Sequence, residues 1–573
     1  MLARLLRLAP RLGLAPDPRA AAAAHARANR IIAARLALAC ARERIVDAER
    51  SADACTLVGV GALPLRRRRA LELDAPDLDA PRPAVLDDAL ALWHALVPAI
   101  GCDAATTGRI ASELDDGVQT LAAILFASSA AGGRRPWLPP EDPRRRDAEH
   151  FLVEGHPWHP MCRTRLGLDA RARVRLAPEL CAQAELAIVD APASWLAVHG
   201  DFAARLEPHF GAAPPGHVRL PVLRAQLPRL ARLPASLRAG LSLARHDTTA
   251  RALAGLRTVA LDCAPLHLKL ALDVLTTSAR RTVSPMSVAN GPVLSSLLAR
   301  LLATDPALAM APALRLMSEP ASAGLRVERA GDDARQLGVI VRDAQALADG
   351  NAIVCAALAE RDLAGERFVA RLLAGYGGRT RAAAMLRDYV AQLLPPLLRL
   401  WLAHGVALEP HLQNTLVRVE HGRPAGFVVR DLGGVRLYRR RCATAAALAP
   451  GSFVVTDDEH EARGKLVHAL IHAHLAAVVA ALDDDGLDEH EGWSIVAAAI
   501  DACLSRWAAE PPLRERCAAE RAAWFAPRVR AKALLRMRLS DRSSEYDYVE
   551  LDNPLAAARI VAHGDGAPGS PMQ

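Results

Sequence analysis

The hydrophobic pattern of this 573-residue sequence changes character along the chain, and that change limits the possible folds more than any single motif. Apolar residues recur every three to four positions over about 20–51 and 85–130, which predicts long helices. Between about 170 and 350 the pattern becomes that of short strands. A strongly apolar helical stretch over 380–404 follows. The sequence therefore predicts an α+β fold with a sheet-bearing centre and a helical C-terminal part.

A polar, proline-rich segment, residues 132–150, is the best candidate for a domain boundary. Its prolines and like charges cannot continue the preceding helix. The length alone predicts two to four domains. Further along, Gly405 suits the left-handed end of the 380–404 helix, and two short strands around residues 421–424 predict a hairpin.

The net charge of +8 raises the question of nucleic-acid binding. Basic residues are scattered among acidic ones, however, and an aromatic content of 4% supplies few stacking platforms for bases. Only Lys269, Lys465 and Lys532 are lysines, so the positive charge is mostly arginine in an alanine-rich chain. This bias accounts for the basic balance, and we expect no nucleic-acid partner.

The cysteines and the N-terminus bear on the location of the protein. The ten cysteines include no C-x-x-C pair, which disfavours a structural zinc or iron–sulfur site and is typical of reduced thiols. The N-terminus is rich in arginine but has no apolar signal core, and no long uncharged apolar stretch follows. We expect a cytoplasmic protein without a membrane segment.

The first unusual run, residues 154–160, reads EGHPWHP and is followed by RTRLG. His156 and His159 each precede a proline, so the run cannot form a regular helix and predicts a rigid loop. Imidazole groups beside the guanidinium groups of Arg163 and Arg165 suit a multiply charged anion. A proline-rich linker is the plain alternative, and zinc is a weaker one because no third ligand is near.

The second run, residues 276–282, reads TTSARRT and ends the strand pattern that carries Lys269. Hydroxyl groups and two arginines where a strand meets a loop can hold phosphate oxygens by charge-assisted hydrogen bonds. Such pairs are common in an arginine-rich protein, so this run alone is a weak signal.

The third run, residues 409–414, reads EPHLQN, and RDLGG follows at 430–434 after the predicted hairpin. On a strand, Glu409, His411 and Gln413 would share one face because side chains alternate. Asn414 and Asp431 could then converge on one Mg²⁺, which prefers oxygen ligands and nucleotide phosphates.

The third run also resembles the Mg-ATP segment of kinase-like phosphotransferases, and that class is the main rival interpretation. The glycine-rich loop and paired strand lysine of those enzymes are not found upstream. The candidate phosphate site uses arginines and hydroxyls instead.

Taken together, the three runs resemble the siderophore synthetases that work independently of nonribosomal peptide synthetases, the aerobactin synthetase (IucA/IucC) family. The resemblance rests on the E-G-H-P-x-H-P loop with its trailing R-x-G, the T-S-x-x-R-T loop, the H-x-Q-N run and the R-D-x-G-G segment. The tail KALLRMRL from Lys532, with Asn553-Pro554-Leu555, also matches. Arg163 stands where the family commonly carries lysine, which leaves its role open.

The resemblance implies a cupped architecture of thumb, fingers and palm, with a central antiparallel sheet and a helical palm. We expect a thumb over 1–148, fingers with the anion and phosphate loops over 149–378, and a palm over 379–573. Relatives commonly form dimers, so a homodimer is possible. The C-terminal part of the family is sometimes described as related to ferric-siderophore reductases, but clustered cysteines are absent from this sequence.

The resemblance also implies residue roles. Arg281 and His411 would be catalytic. The nucleotide would contact Ser278, Arg281, Thr282, His411, Gln413, Asn414 and Asp431. The carboxylate substrate would contact His156, His159, Arg165 and Glu409. Asp431 and Asn414 would hold Mg²⁺.

The implied reaction uses ATP and Mg²⁺ to adenylate a polycarboxylate such as citrate, with release of pyrophosphate. An amine, hydroxylamine or alcohol then displaces AMP and forms the amide or ester. Besides the kinase alternative, a non-enzymatic siderophore-binding or scaffold role stays open. The sequence motifs do not distinguish citrate from a citryl derivative, a succinate derivative or 2-oxoglutarate.

Overall fold

The computed structural model describes residues 6–7, 9–12, 15–130, 148–180, 183–277, 279–310, 313–361, 367–442, 445, 447–541 and 546–558. It mixes helices with mainly antiparallel sheets, so the expected combination of helix and sheet is confirmed. Most of the predicted boundary segment, residues 132–150, lies outside the described residues. The division into thumb, fingers and palm stays a prediction.

Three long helices and a small sheet form the N-terminal part as far as the structure describes it. The helices are Pro18–Arg42, Ala89–Ile100 and Ala104–Ala130, and the strands are Ala48–Arg50, Ala54–Leu57, Gly61–Arg67 and Ala75–Pro76. Their core contains the buried side chains of Ile32, Leu36, Trp93 and Phe126. The expectation that the first helix reaches residue 51 is wrong. It ends at Arg42 because the backbone turns left-handed at Arg44, with φ of 55°.

An antiparallel sheet of eight strands, called here the central sheet, occupies the middle of the chain. In spatial order its strands are Leu196–His199, Ala321–Leu325, Gly338–Asp343, Leu266–Leu270, Thr258–Ala260, Ser242–Ala252, Gln183–Pro192 and His217–Leu223. The strands predicted at 185–190 and 337–342 are therefore confirmed, but the strand that carries Lys269 ends at Leu270 and does not continue to the second run. The long helix Pro285–Thr304 packs on this sheet. Shorter helices in this part are Ala170–Arg175, Phe202–Phe210, Leu227–Leu230, Ala235–Arg238, Pro306–Ala309 and Val327–Ala330.

A second sheet is built around the predicted hairpin, called here the 415–429 hairpin. Its strands Thr415–Glu420 and Arg423–Val429 are antiparallel, Ala352–Val354 adds antiparallel on one side, and Leu314–Leu316 adds parallel on the other. Helix Arg381–His404 packs on this sheet, with the Tyr389 and Phe427 rings 4.8 Å apart. Strands from both sides of residue 378 thus share one sheet.

The C-terminal part is largely helical. One continuous helix consists of Glu459–Val467, a π-helical turn His468–Leu475 and Ala476–Asp483. The other helices beyond residue 360 are Val369–Leu373, Glu489–Ala508, Arg514–Trp524 and Leu534–Leu539. Strands Arg528–Lys532 and Tyr548–Asp552 form a hairpin, and Val406–Ala407, Arg436–Tyr438 and Val455–Thr456 form a small sheet.

Two helical segments within the described ranges have the length and hydropathy that could cross a membrane. They are Pro285–Thr304, in which 39% of the apolar window is buried within the protein, and Glu459–Asp483, in which 78% is buried. The second contributes Leu466, Leu470, Val478 and Val479 to the largest hydrophobic core. The expected lack of a membrane segment stays a prediction.

The N-terminal and C-terminal parts of the chain meet through a buried carboxylate. Glu43, which follows the first helix, accepts hydrogen bonds from the backbone N–H groups of Leu535 (3.0 Å) and Arg536 (2.8 Å). These donors belong to the first turn of helix Leu534–Leu539, whose free N–H groups need acceptors. The contact fixes the segment after Lys532 against the N-terminal helices.

Candidate active site

A cavity of about 1310 Å³ opens between the N-terminal helices, the central sheet, the 415–429 hairpin and the C-terminal helices. Most small-molecule pockets have volumes of roughly 300–1,000 Å³, so this one has room for more than one small substrate. Arg281, His411 and Asp431, one from the second sequence run and two from the third, all line it. His156 and His159 of the first run line it as well. The three runs therefore converge, as the sequence predicts.

The first run forms a loop whose backbone is held by Glu360. The Glu360 carboxylate accepts hydrogen bonds from the N–H groups of Glu154 and Gly155, both at 3.0 Å. Gly155 has a φ of 77°, and a Cβ there would lie 3.0 Å from the Arg163 guanidinium that packs over it. A glycine is therefore required for both the turn and the close approach.

The imidazoles of this loop are neutral. Burial lowers the pKa of His156 to about 3, and His411 and Arg35 add to the effect. Burial also holds the pKa of His159 well below its usual value. The Nδ1 atoms of His156 and His159 accept the N–H groups of Trp158 (3.4 Å) and Met161 (3.1 Å). In a neutral ring the proton then resides on Nε2, which can donate to a bound carboxylate.

Arg165 does not reach the cavity. Its side chain is 3% exposed and its guanidinium is ion-paired with Glu179, which also lies 3.5 Å from Arg163. Its backbone N–H donates to Asp116 at 2.6 Å. Among the described residues, Arg163 lines the cavity and Arg165 does not. Glu179 holds Arg165 in place because a buried guanidinium needs an acidic partner.

The RLG sequence after the first loop connects it to the second run. Leu275 donates its N–H to the Leu166 carbonyl at 3.0 Å. Gly167 lies so close to the next segment that a Cβ would be 2.8 Å from the Asp273 carbonyl oxygen. The glycine of this motif thus allows the two runs to lie side by side.

The second run is a tight turn. Leu275–Thr276 pairs with Ala279–Arg280, and Thr277 between them has a φ of 53°. Arg281 donates from Nη2 to Thr277 Oγ1 at 2.9 Å and lines the cavity together with Thr276 and Thr277. Burial lowers the pKa of Arg281, although Asp431 and Glu409 oppose this, and a guanidinium stays charged.

Ser278 and Thr282 of this run were also predicted to contact the nucleotide. Ser278 lies outside the described residues. The backbone carbonyl of Thr282 accepts a hydrogen bond from Arg257, a residue of the cavity wall, but Thr282 itself is not among the described residues that line the cavity.

The prediction that residues 409–414 form a strand is wrong. The chain makes a turn here, and the first strand of the hairpin begins at Thr415. The backbone bonds to the π-helical turn rather than to a neighbouring strand: Leu412 donates its N–H to Ala473 at 3.1 Å, and the Pro410 carbonyl lies 2.7 Å from His474 Nδ1. Pro410 also has no N–H for a strand ladder.

The turn nevertheless presents the predicted side chains to the cavity. Glu409, His411, Gln413 and Asn414 all line it. Burial lowers the pKa of His411 despite the opposing effects of Glu409 and Asp431. Glu409 lies directly over Gly434 and leaves no room for a Cβ there, so the second glycine of RDLGG has a steric role.

The ends of the 415–429 hairpin bring Asn414 and Asp431 together. Arg430 donates its N–H to the Asn414 carbonyl at 2.9 Å, and its guanidinium donates to the Gln413 carbonyl at 2.8 Å. Asp431 follows with a left-handed φ of 65°. Its carboxylate pairs with Lys269 Nζ at 2.6 Å and Arg342 Nη2 at 3.0 Å. Burial opposes ionisation, but Lys269 and Arg342 outweigh it and hold the pKa of Asp431 well below its usual range.

A second group of charges lies beside Glu409. Lys465 Nζ is 2.7 Å from Glu409 Oε1 and 3.1 Å from the Tyr546 hydroxyl, and Lys532 Nζ is 4.0 Å from the centre of the Tyr546 ring. Burial raises the pKa of Glu409, yet Lys465 and His411 outweigh it and lower the net value.

Sequence reasoning assigned no role to several residues of this wall. Those that the structure adds are Arg257, Lys269, Arg342, Lys465, Lys532 and Tyr546. One signal was present in the sequence. The three lysines of the chain, in a sequence where arginine supplies nearly all the positive charge, line this cavity.

Two family models match the chain. That of the IucA / IucC family matches residues 145–360, and one described as "Ferric iron reductase FhuF-like transporter" matches residues 384–547. The second stretch contains Cys442, Cys503 and Cys517. Within the described parts of the chain, no three or more His, Cys, Asp or Glu side chains are grouped to hold a metal ion.

Curated relatives include proteins named as siderophore synthases and citrate ligases. Staphyloferrin A synthase of Staphylococcus aureus (strain NCTC 8325 / PS 47) is 28% identical over 52% of this chain, and the match spans 50% of its own length. The NRPS-independent siderophore synthetase-like protein ankE of Aspergillus thermomutatus is 28% identical over 71% of this chain and 68% of its own length. D-ornithine–citrate ligase of the same S. aureus strain is 23% identical over 50% of this chain and 48% of its own length.

Solved structures have the same fold. The petrobactin biosynthesis protein AsbB from Bacillus anthracis str. Sterne superposes with a TM-score of 0.77 over 95% of this chain and 97% of its own, at 19% identity. ATP-bound aerobactin synthetase IucA from a hypervirulent Klebsiella pneumoniae gives 0.73 over 91% and 99%, at 18% identity. Residues 145–360 therefore match the IucA / IucC family, and the chain has the fold of the aerobactin synthetase IucA.

Proposed function

We propose that this protein is an ATP-dependent ligase that joins a carboxyl group of citrate, or of a citryl derivative, to an amine, hydroxylamine or alcohol during siderophore synthesis. The observation that carries the proposal is the convergence of Arg281, His411 and Asp431 on one cavity that also contains the histidine loop. Relatives named as citrate ligases and a siderophore synthase support the choice of reaction.

The nucleotide is proposed to occupy the side of the cavity next to the central sheet. Arg281 would grip its phosphates, with Ser278 and Thr282 as expected neighbours, while His411, Gln413 and Asn414 line the nucleotide site. Lys269 and Arg342 add positive charge from the sheet itself. Fixed cations of this kind stabilise charge that accumulates on the α-phosphate as pyrophosphate leaves.

The carboxylate substrate is proposed to lie between the histidine loop and Glu409. Neutral His156 and His159 can donate hydrogen bonds to its carboxylates, and Lys465 supplies a cation nearby. Arg163, which lines the cavity, takes the role first expected of Arg165. The charged groups of this wall are costly to bury without partners of opposite charge, so a multiply charged acid suits the wall.

Mg²⁺ is proposed to bind at the hairpin end, beside the two cations that pair with Asp431. In nucleotide enzymes this ion is commonly held by one or two protein carboxylates together with phosphates and water. Asp431 provides a carboxylate and Asn414 an amide oxygen at adjoining ends of the two strands. When bound with ATP, the ion would offset negative charge on the phosphates.

The proposed reaction has two steps. A carboxylate oxygen of the acid attacks the α-phosphorus, and pyrophosphate leaves with the bonding pair. The nucleophile then attacks the acyl carbon, and AMP leaves. Arg281 and the hairpin side chains hold the first pair of reacting groups in position, and holding reactants in place supplies much of the rate enhancement.

The nucleotide product tests this proposal against its rivals. Purified protein with ATP, Mg²⁺, citrate and a panel of amines should form AMP and pyrophosphate, measured by chromatography. ADP in place of AMP would support the kinase alternative. No nucleotide turnover with any acid would support a binding or scaffold role.

We also propose an oligomeric state and a cellular location for this protein. A homodimer, common among relatives, predicts twice the monomer mass in sedimentation equilibrium. A cytoplasmic location predicts recovery with the cytosolic fraction of the producing cell.

A further inference from the structure

Lysine is used sparingly in this chain, and its placement is not random. Lysine and arginine together number 71, and only Lys269, Lys465 and Lys532 are lysines. These three line the same cavity. An arginine can replace a lysine wherever a permanent cation suffices, but a guanidinium does not give up its proton in proteins. A retained lysine therefore indicates a need for the compact ammonium group or for its titration.

Lys465 and Lys532 lie together but have different partners. Lys465 forms an ion pair with Glu409 at 2.7 Å and donates to the Tyr546 hydroxyl at 3.1 Å. Lys532 faces the Tyr546 ring, with Nζ 4.0 Å from its centre, and no acid pairs with it in the described part of the chain. One lysine is therefore fixed as a cation by an ion pair, whereas the other contacts an aromatic ring and lies near Glu409 without pairing with it.

The surroundings of Lys532 favour its neutral form. Burial, followed by the charge of Lys465, lowers the pKa of Lys532 to about 7, whereas the pKa of Lys465 is raised by Glu409 and Tyr546 despite burial. The charged and titratable groups that face Lys532 from the packed elements are Lys465 and His468 of the 459–475 helix, Glu409 and His411 of the turn, Arg436 of its strand, and Tyr546.

The backbone around Lys532 is well fixed. The residue ends strand Arg528–Lys532, which pairs with Tyr548–Asp552, and helix Leu534–Leu539 follows at once. Glu43 holds the start of that helix through two backbone N–H groups at 3.0 Å and 2.8 Å. Lys532 Nζ is thus presented to the cavity from a rigid position beside Glu409 and His411.

We propose that Lys532 is the proton acceptor that activates an amine nucleophile in the second step of the reaction. This inference rests on the proposed ligase function and adds a catalytic residue to it. A primary amine enters as an ammonium ion, whose pKa resembles that of lysine, about 10.4, and which has no lone pair for attack. The nucleophile must lose a proton before it can react.

The neutral Lys532 amine takes one proton from the substrate ammonium, which frees a lone pair on nitrogen. That nitrogen forms the C–N bond with the acyl carbon, and the C–O bond to AMP breaks with its electron pair on the phosphate oxygen. The extra proton on the new amide nitrogen passes to water, and Lys532 later returns its own proton to solvent. A base is most effective when its pKa lies near the working pH.

Other groups on this wall are less suited to the task. Burial holds the pKa of His468 well below its usual value, so it is a weak base at neutral pH. Glu409 is ion-paired with Lys465, and its pKa is lowered. Lys465 is a cation because Glu409 stabilises its charge.

The test compares two nucleophiles that differ in their need for a base. Hydroxylamine is largely unprotonated near neutral pH, whereas a primary alkylamine is almost fully protonated. The variants are Lys532→Arg, which keeps the charge but cannot accept a proton, and Lys532→Gln, which removes the charge. Arg530→Gln is the matched control, since Arg530 lies on the same strand but stacks on Tyr548 at 4.3 Å and is not part of the cavity wall. Thermal unfolding checks that each variant is folded.

Both Lys532 variants should make the hydroxamate from hydroxylamine and citrate within about threefold of the wild-type rate. With the alkylamine that the wild type uses best, chosen from putrescine, ethanolamine and 2,3-diaminopropanoate, their rates should fall at least about 100-fold. The remaining amine rate should rise about tenfold per pH unit as free amine accumulates, whereas the wild-type rate should level off above about pH 7.

Equal loss with both nucleophiles would overturn the proposal and indicate a binding role for Lys532. Unchanged amine rates in Lys532→Arg would also overturn it, as would a wild type that uses hydroxylamine but no alkylamine. Failure of the proposed ligase function would look different, because the wild type itself would then release no pyrophosphate with either nucleophile.

Discussion

Lys269 Nζ lies 2.6 Å from Asp431 Oδ1, and this ion pair joins the central sheet to the end of the 415–429 hairpin at the cavity wall. Arg342 of the neighbouring strand binds the other carboxylate oxygen at 3.0 Å and is itself paired with Glu319 at 2.8 Å. The side chains of Lys269 and Arg342 are only 4% and 3% exposed. Asp431 therefore both anchors the hairpin and presents an ionised carboxylate to the cavity.

Replacing Asp431 should harm stability and activity together. Asp431→Asn leaves the buried Lys269 without its acid and Arg342 with Glu319 alone, and breaking such a buried pair lowers the free energy of unfolding by about 3 kcal/mol. Pyrophosphate release should also fall at least about 100-fold. Urea unfolding and a pyrophosphate assay measure the two effects. The control Asp457→Asn affects an exposed pair with Arg439, whose side chains are 66% and 54% exposed, and should cost less than about 0.5 kcal/mol. An unchanged midpoint in Asp431→Asn would contradict the anchoring role.

Adjacent arginines provide a matched test of the phosphate site. Arg281 lines the cavity, whereas Arg280 is 65% exposed and paired with Asp273 at 2.8 Å. Arg281→Ala should lower citrate-dependent ATP–pyrophosphate exchange at least about 100-fold because it removes a cation from the proposed α-phosphate site. Arg280→Ala should stay near the wild-type rate. Similar losses of exchange activity in both variants would show that the exchange depends on local charge and not on a specific contact of Arg281.

The turn that carries Glu409 and His411 is positioned by a buried hydrogen-bond relay. His474 donates Nδ1–H to the Pro410 carbonyl at 2.7 Å, so its Nε2 accepts from the Tyr389 hydroxyl at 2.6 Å. Tyr389→Phe should lower the free energy of unfolding by about 1 kcal/mol and also reduce kcat/KM. Denaturation and initial-rate kinetics measure the two quantities.

Tyr376→Phe is the control for this relay. It removes a hydrogen bond of 2.7 Å to Asp388, and Tyr376 is not among the described residues of the cavity wall. It should have a similar cost in stability with no loss of kcat/KM. Equal kinetic effects in the two variants would rule out a positioning role for Tyr389.

Buried neutral histidines should make the protein sensitive to acid. Burial lowers the pKa of His156 and His472 to about 3 and that of His474 to about 4. Below the unfolded-state pKa of about 6.5, these histidines bind protons in the unfolded chain but stay neutral in the folded protein. Stability therefore falls as pH falls. Each ring contributes about 1.4 kcal/mol per pH unit between about 6.5 and its folded pKa.

Urea midpoints between about pH 7 and pH 5 measure this dependence. His472→Gln should reduce the slope of unfolding free energy against pH by the contribution of about one proton. Replacement of the exposed His217 by Gln should leave this slope unchanged. A stability that is level over this range would contradict the neutral, buried state of the histidines.

Local rules accounted for much of the secondary structure. The predicted 380–404 helix is Arg381–His404, and Gly405 ends it with a φ of 64°. The predicted hairpin turns at His421 and Gly422, whose φ values of 52° and 77° fit a tight turn. In both cases neighbouring residues alone determine the geometry, through helix periodicity and the conformational freedom of glycine.

Tertiary partners decided what the sequence could not predict. Residues 409–414 alternate like a strand, but their backbone partners lie in the helical turn at 473–474. Arg165 forms an ion pair with Glu179, and no local sequence pattern indicates this partner. Lys465 meets Glu409, and Lys532 lies in the same cavity wall, only because three distant segments fold together. The convergence of the three runs was predicted from family resemblance rather than from any rule of spacing.

Transfer of oxygen from the acid to AMP is the most direct test of the central claim. With citrate labelled by ¹⁸O in its carboxyl groups, or with whichever acid supports exchange, attack on the α-phosphorus leaves one acid oxygen on the phosphate when the amine displaces AMP. Mass spectrometry should find AMP heavier by one ¹⁸O and unlabelled pyrophosphate. Label in inorganic phosphate accompanied by ADP, or AMP without label, would contradict an acyl-adenylate ligase.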